Sequence, residues 1–183
     1  YPEFEKDKFL QYCEKYKLPM NKKIKEFSTG MKRKLQIFAA ITHKAKLLLL
    51  DEPTSGLDVV AREQMLTLLR EYMETEGRAI LISSHLSGDL ETFCDDIYLI
   101  QKGTITFHEE MDRLLDAYGL LKVSDEVYKK MDKSHIICRK KENFGWSCLT
   151  DQKAYYQMHN PEIVIEKGSV DELILLMAGG ERI

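Results

Sequence analysis

No stretch of the 183 residues stays apolar for the roughly 20 positions that a helix needs to cross a bilayer, so a helical membrane span is excluded. Internal repeats and low-complexity tracts are missing too, which sets aside solenoids and disordered tails. The four cysteines, Cys13, Cys94, Cys138 and Cys148, form no CxxC pair and have no histidines interleaved at metal-ligand spacing. That argues against zinc and for buried thiols in a reducing compartment. Neither sign of charge dominates: 27 Lys and Arg against 30 Asp and Glu leave a net charge of -3, and no general attraction to nucleic acid or to an anionic membrane follows. Any anion site must be local. The opening "YPEFEKDKF" has no initiating Met and no signal peptide, and is expected to lie in the interior of a longer protein.

What is present suits a soluble globular chain: 44% hydrophobic and 31% charged residues, with room for one good core and a small second unit. From Phe4 to Tyr16 the apolar spacing predicts an amphipathic helix that Pro19 closes off. Ser28 is a good N-cap for a helix from about Thr29 to Lys44, with Leu35, Phe38 and Ile41 inward. Leu47 to Leu50 do not alternate with polar residues and predict a strand buried on both faces, in the middle of a parallel sheet. A helix over Arg62 to Thr75 ends at Gly77, and "AILISS" from Ala79 predicts a second buried strand. Strand, helix, strand implies a parallel pair with a right-handed crossover. A helix over Ser87 to Cys94, a hairpin turning at Lys102 and Gly103, and a helix from Glu109 that stops at Gly119 complete this region.

Beyond Gly119 the pattern changes. Ser124 caps a short helix, "HIICR", "GWSCL" and "EIVIE" predict short strands, and Ser169 with Glu172 makes a capping box for a last helix. The expected organisation is a helical part over 1–46, an α/β core half over 47–119, and a small α+β extension over 120–183. Trp146, Tyr155 and Tyr156 in that extension have two readings, a binding patch and, more often for aromatics in a small α+β unit, core; His135 and His159 lack ligand-spaced partners.

The stretch "LLLLDEPTSGLD" raises a chemical question, because an apolar strand that places Asp51 and Glu52 at its tip needs a positive partner there. In open parallel sheets ligands bind outside the carboxyl ends of the strands, where Asp51, Glu52 and His85 all fall. Adjacent carboxylates suit phosphoryl chemistry: one holds Mg2+ through its water shell and the next orients and deprotonates an attacking water. Each piece alone has a plainer reading, the acidic pair as a surface turn or helix cap and His85 as a capping or core histidine.

In their order and spacing, "FSTGM", "LLLLDEPTSGLD" and the histidine after "AILISS" resemble the ATP-binding cassette (ABC) family of ATPases, over residues 1 to about 118. The wording looks most like the ATPase subunits of bacterial ABC-2-type exporters. The resemblance implies a partial P-loop NTPase core with a parallel sheet and a helical subdomain. It makes Asp51 the Walker B aspartate that holds Mg2+, Glu52 the catalytic carboxylate, and His85 the switch histidine that contacts the γ-phosphate. Ser55 to Asp58 match the D-loop, which links the two ATP sites of a dimer, with Asp58 counted in the nucleotide site. Phe27 to Met31 match the signature motif, Ser28, Thr29, Gly30 and Met31 being its nucleotide-facing residues. Here Thr29 replaces the family's first Gly and Met31 its Gln. A helix N-terminus capped by Ser28 suits a phosphate, and Gly30 permits close approach. Lys32, Arg33 and Lys34 add charge nearby or form a solvated helix face.

No Gly-x-x-x-x-Gly-Lys-Ser/Thr phosphate loop occurs in the sequence. The resemblance therefore implies the C-terminal portion of a cassette, inactive alone, with ATP and Mg2+ as ligands. Its implied partners are a second ABC ATPase subunit, identical or different, and separate transmembrane permease subunits, at the cytoplasmic face of the membrane as a peripheral protein and without nucleic acid. A sheet deprived of neighbouring strands is expected to leave an apolar flank that invites self-association. Two further readings stay open. A soluble cassette protein acting on ribosomes or DNA would carry tandem cassettes, coiled coils or basic arms, and none is visible. A degenerate structural partner fits the altered signature but not the intact Asp51, Glu52 and His85.

Overall fold

A computed structural model describes residues 3–183 as two compact units, one ending at Leu86 and the other spanning Ser87–Ile183. In the first, helix α1 (Lys6–Lys15) and a short 3-10 turn (Ile24–Glu26) precede α2 (Thr29–Ile41), strand β1 (Leu47–Asp51), α3 (Val59–Met73) and strand β2 (Ala79–Ser83). The Ser28 hydroxyl accepts the Met31 amide at 3.2 Å, so the predicted cap forms. Asp58 does the same for α3, accepting the Ala61 amide at 2.8 Å, and the helix starts three residues before Arg62. The core of this unit collects Cys13, Phe27, Ile37, Phe38, Ile41, Leu48, Met65, Leu66, Leu68, Leu69 and Tyr72. Leu35, expected inward on α2, is only half-buried, and Ile37 takes that role. Tyr12 stacks on Phe38 at 5.7 Å, and the Tyr72 hydroxyl donates to the Ala45 carbonyl, tying α3 to the approach to β1.

Strands β1 and β2 are parallel, with Asp51 opposite Ser83. The expectation that both strands are buried on two faces is corrected here. Leu48 is 5% exposed, whereas Leu47, Leu49 and Leu81 are 54%, 70% and 61% exposed. Side chains alternate across a strand, the helices cover one face, and among the described residues no element covers the other.

The second unit begins with α4 (Ser87–Phe93), the hairpin β3 (Asp96–Gln101) and β4 (Thr104–Glu110), and α5 (Met111–Ala117). Then follow β5 (Gly119–Val123), α6 (Asp125–Lys130), β6 (Ile136–Glu142), β7 (Gly145–Thr150), α7 (Lys153–His159), β8 (Val164–Glu166), α8 (Val170–Gly179) and β9 (Glu181–Arg182). Strands β5 to β9 form one antiparallel sheet in the order β8-β5-β7-β6-β9. Gly119 does not stop a helix, as expected, but opens β5, the strand that pairs with both β7 and β8. Glycine is needed there: a Cβ would lie 2.9 Å from Ile165 Cγ2.

Period-2 alternation places Leu120 in one core cluster, with Ile97, Met111, Leu114, Tyr118 and the α8 residues Val170, Leu173 and Leu176. Leu121 enters the other, with Tyr128, Met131, Cys148, Tyr156 and Ile163. Because hairpin and helix residues before 119 share a cluster with the sheet, the compact units divide at Leu86. Ser124 and the Ser169–Glu172 capping box cap α6 and α8 as expected. Tyr156 is fully buried, and Trp146 stacks on Tyr128 at 4.8 Å. Burial raises the thiols of Cys94 and Cys138 to about 11 and that of Cys148 to about 12, so all three stay protonated at neutral pH. Among the described residues, no helix is long and apolar enough to cross a membrane.

Candidate functional site

The tips of β1 and β2 gather four polar residues. Register brings Asp51 beside Ser83, whose hydroxyl donates to Asp51 Oδ1 at 2.5 Å. Glu52 follows directly, its amide donating to the Ser83 carbonyl at 3.0 Å. His85 Nδ1 lies 2.7 Å from Glu52 Oε2. Sequence alone put Asp51, Glu52 and His85 at one sheet end, and the structure joins Glu52 to His85. Ser83 was not anticipated, although its place as the polar end of "AILIS", in register with Asp51, was the signal.

Backbone conformation marks Glu52 independently. Four non-glycine residues among those described have positive φ: Lys17 and Lys44 follow helix ends, Lys102 sits in a hairpin turn, and Glu52 (φ +48°) directly follows a strand. A left-handed non-glycine residue costs about 1–3 kcal/mol and persists only where its surroundings impose it. The bond to Ser83, the 3.2 Å bond from the Ser55 amide to the Glu52 carbonyl, and buried Pro53 and Thr54 impose it here. The outcome is a carboxylate turned out of the strand line towards His85.

This cluster is open to solvent, with the His85 and Glu52 side chains 63% and 32% exposed. A polar contact so exposed contributes little to stability, about 0–1 kcal/mol, so its consequence is orientation. Carboxylates at Asp51 and Glu52 beside a serine hydroxyl form an all-oxygen donor set. That suits a hard divalent cation which keeps several waters. Among the described residues no group of three or more His, Cys, Asp or Glu could hold a metal by itself, so an all-protein cage is not what the donor set fits.

Ser28, Thr29, Gly30 and Met31 form a second group at the N-terminus of α2. Ser28 and Thr29 are exposed, Gly30 and Met31 partly so. Lys34 Nζ donates to Gln64 Oε1 at 3.1 Å and lies 5.9 Å from the Tyr16 ring centroid, so its charge serves the packing of α2 on α3. Lys32 and Arg33 stand on the same first turns, Lys32 exposed and Arg33 half-buried. Leu57, in the turn between Glu52 and α3, connects the two groups: a Cβ built on Gly30 would lie 3.2 Å from Leu57 Cδ2.

Comparison with known proteins finds matches over part of the chain. Residues 21–88, which hold every residue of both groups, match a family model whose description begins "AAA domain" and names AbiEii toxin and "Type IV TA system". ABC transporter ATP-binding protein YtrB of Bacillus subtilis (strain 168) is 33% identical over 118 residues, 64% of this chain and 40% of that protein. The uncharacterized ABC transporter ATP-binding protein YdbJ of the same organism is 45% identical over 83 residues, 45% of this chain and 27% of that protein. The lantibiotic transport ATP-binding protein SrtF of Streptococcus pyogenes is 38% identical over 89 residues, 49% and 38% of the two chains. The chain thus spans less than half the length of these curated relatives.

A solved ATP-binding subunit of an ABC transporter superposes with a TM-score of 0.54 at 26% identity, covering 60% of this chain and 46% of that one. The ATP-binding cassette MJ0796, in a dimeric post-hydrolysis state with ADP and Pi, gives 0.51 at 23% identity over 56% and 45% of the two chains, a likeness of fold alone.

Proposed function

On the premise that this chain carries a partial ABC ATPase region of P-loop NTPase fold, we propose that it is the Walker B and signature half of an ATP-hydrolysing subunit. That subunit drives export through separate membrane-spanning permease subunits, and it sits peripherally at the cytoplasmic face of the membrane. The observation that carries the reading is the Glu52–His85 contact of 2.7 Å at the tip of a parallel strand, with Asp51 and Ser83 alongside. In this reading residues 1–46 carry the signature, 47–119 belong to the ATPase core and 120–183 are an accessory part.

Glu52 accepts a proton from water attacking the γ-phosphate, a step for which its left-handed backbone and its bond to His85 aim the carboxylate. His85 then turns a ring N–H to the γ-phosphate oxygen where negative charge builds. Asp51, steadied by Ser83, would hold Mg2+ through water. When bound, that ion neutralises charge on the β- and γ-phosphates. Ser28 to Met31 present a capped helix N-terminus to the nucleotide of a second cassette, because the chain has no phosphate loop to cradle its own.

ATP turnover tests this in the complete cassette, with this chain joined to a phosphate-loop lobe. Glu52→Gln is expected to lower kcat by roughly 10^2–10^4-fold, the usual contribution of a general base. The 183 residues alone should not turn over ATP. Turnover by Glu52→Gln at the unmodified rate would sink the reading.

A further inference from the structure

Helix α4 has seven residues, too few to stand on its own hydrogen bonds, so its packing partners decide whether and where it forms. Its support matters because Leu86 alone separates its first residue, Ser87, from His85. That support comes from the far end of the chain. Ser87 and Glu91 stand one turn apart on the same face of α4. The Ser87 hydroxyl donates to Asp171 Oδ2 at 2.8 Å, and the Val170 amide donates to Glu91 Oε1 at 2.8 Å, so one bond runs each way between α4 and the first turn of α8. The same helices share apolar contact: Leu90 and Cys94 pack on the cluster that holds Val170 and Leu173.

The Glu91 bond fills a need that α8 cannot meet by itself. Its capping box serves the amides of Ser169 and Glu172, which leaves the Val170 amide at the first helical position without a local acceptor. Val170 is fully buried, so water does not substitute. Glu91 supplies the missing acceptor, and its carboxylate also meets the positive end of a ten-residue helix. On the other side of Ser87, the Leu86 amide donates to the Ser84 hydroxyl at 3.0 Å and closes a turn around His85. Little slack is left between the anchored start of α4 and the imidazole that bonds to Glu52.

We propose that Glu91, seconded by Ser87, is a positioning residue for His85: by latching α4 to α8 it anchors the chain two residues past the histidine and so holds the ring to Glu52. The consequence rests on the proposed ATPase function, in which a helix of the accessory part 120–183 then sets how well the switch histidine of the core is aimed. Demonstrating it requires coupling rather than proximity.

Imidazole 15N signals of His85 in the 183-residue chain read the latch without any turnover. Glu91→Ala should shift them and speed hydrogen exchange at the Val170 amide, and Glu91→Gln, which keeps the acceptor oxygen, should restore both. Ser87→Ala removes only the more exposed bond and should shift the His85 signals less, in the same direction. Tyr156→Phe, which loses a hydroxyl bond to the Asp132 carbonyl in the other core cluster, should leave them in place. His85 signals that stay put in both Glu91→Ala and Ser87→Ala overturn the proposal, as does an equal shift in Tyr156→Phe, because general loosening would then suffice. In the complete cassette, Glu91→Ala should lower kcat about tenfold, the scale of a slightly misplaced catalytic group. The KM for ATP should hold, and Glu91→Gln should recover the rate. A rise in KM with kcat unchanged would contradict the role in catalysis. Wild-type turnover by Glu52→Gln would instead remove the function and leave the His85 signals as the test of the latch.

Discussion

Leu49 and Leu149 lie in strands of similar apolar character, yet one is 70% exposed and the other fully buried. Strand β7 pairs on both edges, with β5 and β6, and residues 147–150 are all buried. Strand β1 pairs with β2 and meets helices on one side, leaving Leu47 and Leu49 bare. An apolar run reports the layers a strand is suited to meet, while the fold decides which of them it has. The polar cluster of Asp51, Glu52, Ser83 and His85 stands at the tip of the half-covered sheet. The five-stranded sheet, with residues 147–150 of β7 buried at its centre, serves packing.

Four experiments sharpen or break that contrast. The largest effect is expected among the histidines. In the complete cassette, His85→Ala should lower kcat roughly 10^2–10^3-fold, the scale of losing one donor to a developing oxyanion. His159→Ala, at the end of α7 with its ring on the Tyr155 carbonyl, should leave kcat unchanged; steady-state kinetics compares the two. Next come the leucines, compared by denaturant unfolding of the 183-residue chain. Leu149→Ala should cost about 2–5 kcal/mol through lost burial and a cavity, whereas Leu49→Ala should stay within about 0.5 kcal/mol. Equal losses would mean that the bare face is covered in solution.

A third, smaller effect concerns association. Leu49→Lys with Leu81→Lys should reduce concentration-dependent self-association in sedimentation velocity, by putting charge on the exposed face of β1 and β2. The smallest effect lies in the covered unit at low pH. The Ser134 amide and hydroxyl and the Tyr155 hydroxyl hold the Asp132 carboxyl at about 2, below the unfolded value of about 3.9. A depressed carboxyl contributes stability that is present above pH ~4 and is lost as pH falls through ~2. Asp132→Asn should flatten the acid limb of the stability–pH curve in that window and leave the neutral region parallel to the parent.

Much of the first unit was legible because its signals are local. Ser28 announces α2, alternation-free leucines announce β1, and strand–helix–strand order fixes a parallel pair. Glu52 and His85 were legible as neighbours at a sheet end, but not as a hydrogen-bonded pair, since the left-handed turn at Glu52 follows from the bond to Ser83 and the packing of Thr54. Burial of β1 was misjudged because a sequence pattern does not state how many layers surround it. In the second unit Gly119 carries the same letter whether it stops a helix or makes room for Ile165 beside a central strand, and only tertiary contact decides. Helix α7 went unnoticed because its seven residues bury one side chain, Tyr156, and show no apolar period.

The most direct test of the account is ATP trapping of the complete cassette carrying Glu52→Gln, followed by size-exclusion chromatography and native mass measurement with and without Mg-ATP. The account predicts a stable dimer that forms only with nucleotide, retains ATP, and is lost when Gly30→Ala is added to the phosphate-gripping turn. A species that stays monomeric with ATP, or that dimerises equally without it, would contradict the assignment of Glu52 and of residues 28–31 to two halves of a shared ATP site.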